Sequence, residues 1–276
     1  MKRVLCTIAV ITLALIGHRA AAEPLPIFDT HVHYSENSWV LFSVPTIISA
    51  LRRAGVTRAL VSSTPDAGTL MLHRAAPDLV VPELRPYHGD VRWSNWFRHV
   101  GTPGYLSERL DRDVYRGIGE FHLFDADDAK TDVMQSVIAM AVERDILLHV
   151  HSDAAPVRAL FEVEPQLRVL WAHAGFIEPP DVVGEMLESY DGLWAEVSFR
   201  AGEIYGSGTI DPDWKALFLK YPDRFMIGTD TYVPDRWAEY AGLIREHRQW
   251  LDQLPPDLAK AIAFDNAIRV LGVGVR

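Results

Sequence analysis

The stretch PIFDTHVHY (Pro26–Tyr34) is a short apolar run that ends with two histidines on either side of one valine. On a β-strand alternate side chains share a face, so His31 and His33 would point the same way. Two imidazole rings gain little by packing there, and they would repel each other if both were protonated. Because histidine is a common metal ligand, the pair predicts a bound cation, with a solvated strand end as the alternative.

Seven further apolar runs follow the first, and the order of apolar run, polar loop and helical pattern recurs along the chain. Their near-continuous apolar character is typical of parallel strands that are buried on both faces. The eight predicted strands are IFDTHV, RALVSST, LVVPELRPY, YRGIGEFHL, DILLHVHS, RVLWAHAG, LWAEVSF and RFMIGTD. The predicted helices span residues 45–54, 130–144, 156–162, 180–190, 213–220, 235–251 and 256–271.

Eight strand–helix units in a chain of this length predict an α/β fold of the (β/α)8 TIM-barrel type. A doubly wound open sheet is the competing architecture. It is disfavoured because DTHVHY (29–34) stands where such a fold would carry a Gly-x-Gly-x-x-Gly turn. The sequence also contains no phosphate-binding P-loop and no Gly-x-Ser-x-Gly nucleophile motif.

The first 22 residues, MKRVLCTIAVITLALIGHRAAA, have the layout of a secretory signal peptide. Basic residues precede an apolar run, and three alanines follow it, so we expect cleavage after Ala22. The rest, residues 23–276, would form one domain in the periplasm or outside a bacterial cell. The apolar run is short for a membrane anchor, which is the alternative, so we expect no stable membrane association after processing.

Processing would also change the charge and the cysteine content of the chain. Loss of Lys2, Arg3 and Arg19 changes the formal net charge from −10 to −13. This acidity argues against a nucleic-acid partner, because binding to a phosphate backbone depends on Lys and Arg, and we expect a small-molecule substrate instead. The only cysteine, Cys6, is lost too, so the mature protein cannot use disulfides. The oligomeric state stays open.

Residues of metal-ligand type stand at the predicted strand ends. Barrel enzymes carry their chemistry at the C-terminal ends of the strands, where strands give way to loops. A mixture of imidazole and carboxylate donors favours zinc, with manganese, iron or nickel as alternatives. The six candidates, in chain order, are His31, His33, Glu120, His151, His173 and Asp230.

Five segments carry a resemblance to a known family: FDTHVHY, GIGEFHL, LLHVHSD, LWAHAG and MIGTD. In this order they resemble the amidohydrolase superfamily, and most closely its amidohydrolase-related and TatD-like metal-dependent hydrolases. The ending AIAFDNAIRVLGV is similar to the closing helix of those barrels. The resemblance covers essentially the whole mature chain, but it does not specify a substrate.

The resemblance implies a ligand set for one or two metal ions. One ion would be held by His31, His33 and Asp230, and a second by His151 and His173, with Glu120 as the bridge. Many relatives place a carboxylated lysine where this chain has Glu120, which matches the TatD-like branch instead. Two ions are expected, although relatives with one ion use the histidine of strand six in catalysis, a role then open to His173.

A metal site of this kind predicts hydrolysis. A bound divalent cation lowers the pKa of water toward about 7 and polarises the oxygen under attack. Asp230, as ligand and neighbour of that water, would accept its proton and pass it to the leaving group. The expected reaction is cleavage of an amide, ester, lactone or phosphoester. The alternatives are a metal-dependent decarboxylase, a reaction that part of the amidohydrolase-related family performs, and a non-catalytic periplasmic metal-binding barrel.

Substrate contacts are expected from the loops that follow the strands. The longest, HGDVRWSNWFRHVGTPGYLSERL (88–110), contains Trp93 and Trp96, which predict a lid, with ordinary core packing as the alternative. Arg200 follows the seventh strand, where an arginine could hold a substrate carboxylate, and Tyr232 follows the eighth. His122, at the end of strand four, either lines the pocket or orients a neighbouring ligand.

Two other polar strand residues are interpreted as structural. His149 lies two residues before His151, hence on the same face but one layer deeper, so we expect a packed core histidine. Asp29 precedes His31 by two residues, and we expect a hydrogen-bonded strand residue there instead of a ligand.

Overall fold

The computed structural model describes residues 24–274, in which each of the eight predicted apolar runs contains a parallel strand. The first sheet has the order β1 (Ile27–His33), β2 (Val56–Ser62), β3 (Val80–Pro82). The second has the order β4 (Gly117–His122), β5 (Leu147–His151), β6 (Val169–Trp171), β7 (Leu193–Glu196), β8 (Phe225–Met226). The fold is therefore α/β with parallel sheets. The signal-peptide prediction concerns residues 1–22, which lie outside the described residues.

Single parallel bridges join the two sheets at both pairs of edges. Leu84, just after β3, pairs with Ile118 on β4, and Asp29 on β1 pairs with Ile227, just after β8. At the second edge the Thr30 N–H donates to the Ile227 carbonyl over 2.9 Å. The strands thus follow one another in chain order from β1 to β8, and the last contacts the first.

Helices connect the strands, and two of the predicted helices are interrupted. Glu239 separates two helices within the predicted span 235–251, and a π-helical segment, Ala261–Asp265, divides the predicted closing helix. None of the helices between residues 24 and 274 combines the length and apolar character that crossing a membrane requires. The helices are α1 (Glu36–Trp39), α2 (Val44–Arg53), α3 (Ala67–Ala75), α4 (Thr102–Leu110), α5 (Asp132–Glu143), α6 (Ala154–Val163), α7 (Pro180–Ser189), α8 (Ala201–Tyr205), α9 (Pro212–Lys220), α10 (Pro234–Ala238), α11 (Tyr240–Leu251), α12 (Pro256–Lys260) and α13 (Asn266–Leu271).

Apolar residues of the strands and helices form the core. On α2, Ile47 and Leu51 are buried and Arg52 is exposed, so one face of this helix packs on the core. A second cluster packs strands of both sheets against the closing segment 261–273, so the two sheets share one interior. Its strand members are Phe28, Leu60, Val81, Leu147, Leu170 and Met226. This interior is filled with side chains, which leaves the C-terminal strand ends as the place for a site.

Candidate metal centre

The first half of the site joins β1 to the segment after β8. His31 Nε2 lies 3.0 Å from His33 Nε2, and Asp230 Oδ1 lies 3.5 Å and 3.3 Å from these two nitrogens. All three side chains are buried, and Asp230 Oδ1 has no hydrogen-bond partner within the described chain. A buried carboxylate oxygen without a partner is costly unless a cation or a donor satisfies it.

The second half of the site is centred on Glu120. Its Oε1 lies 2.8 Å from His151 Nδ1 and 3.7 Å from His173 Nε2, and these two nitrogens are 3.2 Å apart. Its Oε2 lies 3.2 Å from His33 Nε2 and 3.6 Å from His31 Nε2. Glu120 therefore stands between the two halves, in the position that the resemblance gives to a bridging ligand.

Two of these residues have a strained backbone conformation. His173, just after β6, has φ of +55°, and Asp230 has φ of +48°. Left-handed backbone is uncommon for residues other than glycine and costs of the order of 1–3 kcal/mol. The surrounding structure holds both in place: the Asp230 N–H donates to the His31 carbonyl over 2.6 Å. Strain of this kind clusters at functional sites.

Glu196, at the end of β7, is a site residue that the sequence analysis missed. Its Oε1 lies 3.0 Å from His31 Nδ1 and accepts the His173 N–H over 2.7 Å, while Oε2 accepts the Ser198 N–H over 2.7 Å. A carboxylate can only accept, so His31 Nδ1 carries the hydrogen and its Nε2 lone pair is free for the centre. The acid at the end of LWAE, after an apolar strand, was the available signal.

Two serines contact the Nδ1 atoms of His33 and His173 in a similar way. His33 Nδ1 lies 3.0 Å from Ser62 Oγ, and His173 Nδ1 lies 2.7 Å from Ser198 Oγ. Since the Ser198 hydroxyl donates to Glu196, it accepts from His173 Nδ1. The Nε2 atoms of both histidines are thereby left for the centre, an arrangement typical of metal-ligating histidines.

The electrostatics of the centre favour a cation. Burial would raise the pKa of Asp230, but the neighbouring His31 lowers it to about 2. Burial opposes protonation of His31, yet Asp230, Glu120 and Glu196 together raise its pKa well above the usual range. Carboxylates that attract a proton this strongly would attract a metal cation as well.

Arg85, after β3, is the second residue that the sequence analysis missed. Its Nη2 lies 3.1 Å from Glu120 Oε2, and its Nε donates to the Glu120 carbonyl over 3.1 Å. The arginine in LVVPELRPY stands at the end of a strand, but its type alone does not indicate a partner carboxylate. The Arg85 guanidinium therefore places one fixed positive charge beside the Glu120 carboxylate.

His122 lies against the ligand residues, as predicted for a residue that lines the pocket. Its ring stacks on that of His151 with centroids 4.2 Å apart, and its Nδ1 lies 2.9 Å from the Tyr87 hydroxyl. Burial lowers the pKa of His122 to about 3, so the ring is neutral at physiological pH.

The two tryptophans of the predicted lid differ in burial. Trp93 is exposed, and its ring centroid lies 5.9 Å from that of His122, at the edge of the site. Trp96 is fully buried, packs 4.6 Å from Phe121, and donates its Nε1–H to the His122 carbonyl over 2.8 Å. The substrate role expected for Trp96 is therefore corrected: this residue belongs to the core.

Arg200 also departs from its expected role. The side chain is buried, and its guanidinium donates to the carbonyls of Phe176 and Glu178 over 2.9 Å and 2.7 Å. It also pairs with Glu203 at 2.7 Å. Because these partners occupy the guanidinium, Arg200 stabilises the turn after β6 instead of holding a substrate carboxylate. Tyr232 is exposed at the rim, as expected of a substrate-facing residue.

The two residues interpreted as structural have the expected surroundings. His149 is buried, with its Nδ1 3.2 Å from Glu83 Oε2. Asp29 is buried, and its Oδ2 accepts hydrogen bonds from the Thr229 and Tyr240 hydroxyls, each over 2.7 Å. The Asp29 carboxylate is satisfied by these contacts, whereas His149 Nε2 has no hydrogen-bond partner within the described chain.

Fold and site together define a class of protein. Parallel strands that bring imidazole Nε2 atoms and carboxylates to one point, with an orphaned carboxylate oxygen, fit a divalent-metal-dependent enzyme. Residues 99–273 match the family model described as amidohydrolase. Since the match spans more than half of the chain, the protein belongs to the amidohydrolase family. A comparison with curated proteins finds no match.

Solved structures with a similar fold include hydrolases and a decarboxylase. A probable 2-pyrone-4,6-dicarboxylic acid hydrolase from Acinetobacter baumannii is 14% identical with a TM-score of 0.62, over 89% of this chain and 99% of that one. A manganese complex of 5-carboxyvanillate decarboxylase from Novosphingobium aromaticivorans is 12% identical (TM-score 0.56, 90% and 96%). N-acetyl-D-glucosamine-6-phosphate deacetylase from Mycobacterium smegmatis is 18% identical (TM-score 0.61, 90% and 76%). At these identities the similarity shows the fold alone.

Proposed function

We propose that this protein is an exported metal-dependent hydrolase that cleaves an amide, ester, lactone or phosphoester bond in a small molecule. The observation that carries the proposal is the meeting of His31, His33 and Asp230 at one buried point, with Asp230 Oδ1 unpartnered. Zinc is the proposed metal because the donors are imidazole and carboxylate, with manganese as the first alternative.

We also propose that residues 23–276 form one closed (β/α)8 barrel. The bridges Leu84–Ile118 and Asp29–Ile227 support closure, because they join the two parallel sheets at both pairs of edges. Closure explains how residues from β1, β4, β5 and the segment after β8 reach a common point, since barrel enzymes build their sites at this end.

The residues of the proposed metal centre would have different roles in the reaction. The ligands would be His31, His33 and Asp230, together with His151, His173 and Glu120. When bound, a divalent cation supplies a Lewis acid that acidifies water and polarises the substrate oxygen. Asp230 is buried and its Oδ1 has no partner within the described chain, so its carboxylate would be available to accept the proton of the attacking water. It then returns this proton to the leaving group.

A metal-dependent decarboxylase is the second candidate, and the Arg85–Glu120 pair favours it. The guanidinium occupies the same carboxylate oxygen that approaches His33. Two unit charges 4 Å apart repel by about 4 kcal/mol at an effective dielectric constant of 20, so Arg85 opposes a second ion bridged by Glu120. A centre with a single ion would favour the lyase over hydrolysis at a bridged pair of ions.

One experiment separates these functions. Protein loaded with zinc or manganese is analysed for metal per chain, then incubated in ¹⁸O-water with lactones, esters, amides, phosphoesters and aromatic carboxylates. Hydrolysis places one ¹⁸O atom in a product, whereas decarboxylation releases carbon dioxide and leaves the organic product without it. Turnover no faster than that of the His31→Ala protein for every substrate would contradict both functions.

A further inference from the structure

Exposed aromatic residues are confined to one part of the surface. Within residues 24–274, large aromatic side chains classed as exposed all lie around the candidate metal centre. Water-exposed aromatic surface is unfavourable, and a contiguous patch of it commonly marks a binding site. We call this set the aromatic collar: Trp93 (54% exposed), Phe124 (48%), Phe176 (45%), Phe199 (41%) and Tyr232 (51%).

One side of the collar contacts the rings of two candidate ligands. Phe176 lies 5.9 Å from His151 and 5.5 Å from His173, measured between ring centroids. Phe199 lies 5.5 Å from His173 and 6.1 Å from Phe176, and Tyr232 continues the series 6.2 Å beyond Phe199. These three side chains therefore belong to the edge of the site and not to a separate patch.

The other side of the collar reaches the same ligands through His122. Trp93 lies 5.9 Å from His122 and 5.4 Å from Phe124, and His122 stacks 4.2 Å from His151. The collar and the ligand rings thus form one continuous arc, from Tyr232 to Trp93. Any molecule that covers this arc also covers the ligand residues.

Two residues of the aromatic collar have strained backbone conformations. Phe176 has φ of +56° and Phe199 has φ of +63°. Left-handed backbone is a marked outlier for bulky residues and costs conformational free energy. Here it places two side chains that remain exposed. The rings gain little burial in return, so core packing does not account for their placement.

We propose that the aromatic collar binds a flat aromatic ring of the substrate, while the reacting group of the substrate faces the ligand residues. The inference rests on the proposed function and names its substrate class. Neighbouring collar rings are tilted by 51° to 65°, so a flat ring meets both faces and edges. Aromatic pairs in such geometries gain about 0.5–1.5 kcal/mol beyond the burial of area, which a saturated ring of similar size does not gain.

The test is a binding measurement with matched probes that share one carboxylate. Calorimetry compares benzoate with cyclohexanecarboxylate on metal-loaded protein, and we expect benzoate to bind about 2- to 12-fold more tightly. Phe176→Leu and Phe199→Leu should bring this ratio toward one while bound metal is unchanged. Leu219→Ala, an exposed apolar change on α9 away from the collar, should leave the ratio as in the wild type.

Because binding is measured without turnover, failure of this inference can be distinguished from failure of the proposed hydrolase function. Equal affinity for the two probes in the wild type would overturn the inference. So would a ratio that both leucine variants leave unchanged. Absence of binding by both probes would also overturn the inference, and a dimer that Phe199→Leu dissociates in sedimentation would then identify the collar as an interface between two copies.

Discussion

At the scale of one residue, the proposed function gives Asp230 two roles, metal ligation and proton transfer. Asparagine keeps the size of this side chain and one ligand oxygen, but it cannot act as a base. Because general-base assistance contributes about 10²–10⁴-fold, we expect Asp230→Asn to lower kcat by that factor while most of the bound metal remains. Elemental analysis and steady-state kinetics on the same preparation check both parts.

His31→Ala is the control for the Asp230 prediction. This change removes a ligand outright, so metal and activity should be lost together. If Asp230→Asn retained the wild-type kcat in metal-loaded protein, the proton-transfer role would be contradicted, and His173 would become the next residue to test.

In the proposed centre, Glu196 supports the candidate ligands His31 and His173 through hydrogen bonds. In Glu196→Gln one carboxylate oxygen is replaced by an NH2 group. This donor would face either the Ser198 N–H or the His173 N–H, and two donors cannot form a hydrogen bond with each other. The orientation of His31 would suffer, and loss of such a supporting contact typically costs 10- to 100-fold in metal affinity. Titration against a competing chelator measures this loss. Glu188→Gln, an exposed change, should have no effect, and equal affinities for the two variants would refute the role.

At this scale the sequence indicates candidate ligands better than it indicates the residues that support them. His31 and His33 are recognisable because two imidazoles in one strand have no packing role. Glu196 and Arg85 are ordinary polar residues at strand ends, and each acquires its meaning from a residue more than 30 positions away. Arg200 misled the sequence analysis for the same reason, because its carbonyl partners in the turn after β6 cannot be read from its neighbours.

The segment between β3 and β4 offers a test at the scale of an element. Trp96→Ala should lower the free energy of unfolding by about 3–5 kcal/mol, since the ring is fully buried and its N–H is bonded. Trp93→Ala should change it by less than about 0.5 kcal/mol, because the side chain is exposed. Urea denaturation measures both values. A stable Trp96→Ala protein with altered substrate binding would restore the original lid prediction.

The contact of α11 with the segment after β8 predicts a pH dependence of stability. His247 on α11 is buried, and its Nε2–H donates to the Gly228 carbonyl over 2.8 Å. Burial lowers the pKa of His247 below its ordinary value of 6.5, so the folded protein keeps the ring neutral. The unfolded chain binds the proton first as the pH falls, and stability therefore decreases below about pH 6.5, by at most about 1.4 kcal/mol per pH unit.

His247→Gln isolates this contribution, because glutamine retains a donor but does not titrate. Between pH 7 and pH 5 we expect the free energy of unfolding to fall more for the wild type than for the variant. Urea denaturation at several pH values gives both curves. Parallel curves would show that His247 does not contribute to the pH dependence.

The lengths of the elements show where sequence patterns lose resolution. The apolar runs of strands six and eight continue past the ladder, which ends at Trp171 and Met226. Beyond these points the backbone turns to positive φ at His173 and Asp230. An apolar pattern records burial, which continues into the site, but it does not record where strand hydrogen bonding stops.

At the scale of the whole molecule, the order of strands was the most predictable feature. Each apolar run is buried on both faces, and in a parallel α/β fold consecutive runs become neighbours. Closure of the proposed barrel is less accessible from the sequence, because the contacts that support it are single bridges such as Leu84–Ile118, at the edges of β3 and β4. Both facts follow from physics: burial is local in the sequence, whereas the meeting of the first and last strands is not.

The contacts at the start of β1 bear on the predicted cleavage after Ala22. The Leu25 carbonyl accepts a hydrogen bond from Arg248 Nη1 over 2.7 Å, and β1 begins at Ile27. Since these contacts start after Glu23, cleavage after Ala22 would leave them all in place. We expect mass spectrometry of the protein from a bacterial envelope to find a chain starting at or near Glu23, with the thermal midpoint of a directly expressed 23–276 chain. A chain starting at residue 29 lacks two buried residues of β1 and should not fold. A cytoplasmic product that retains Met1 would contradict export.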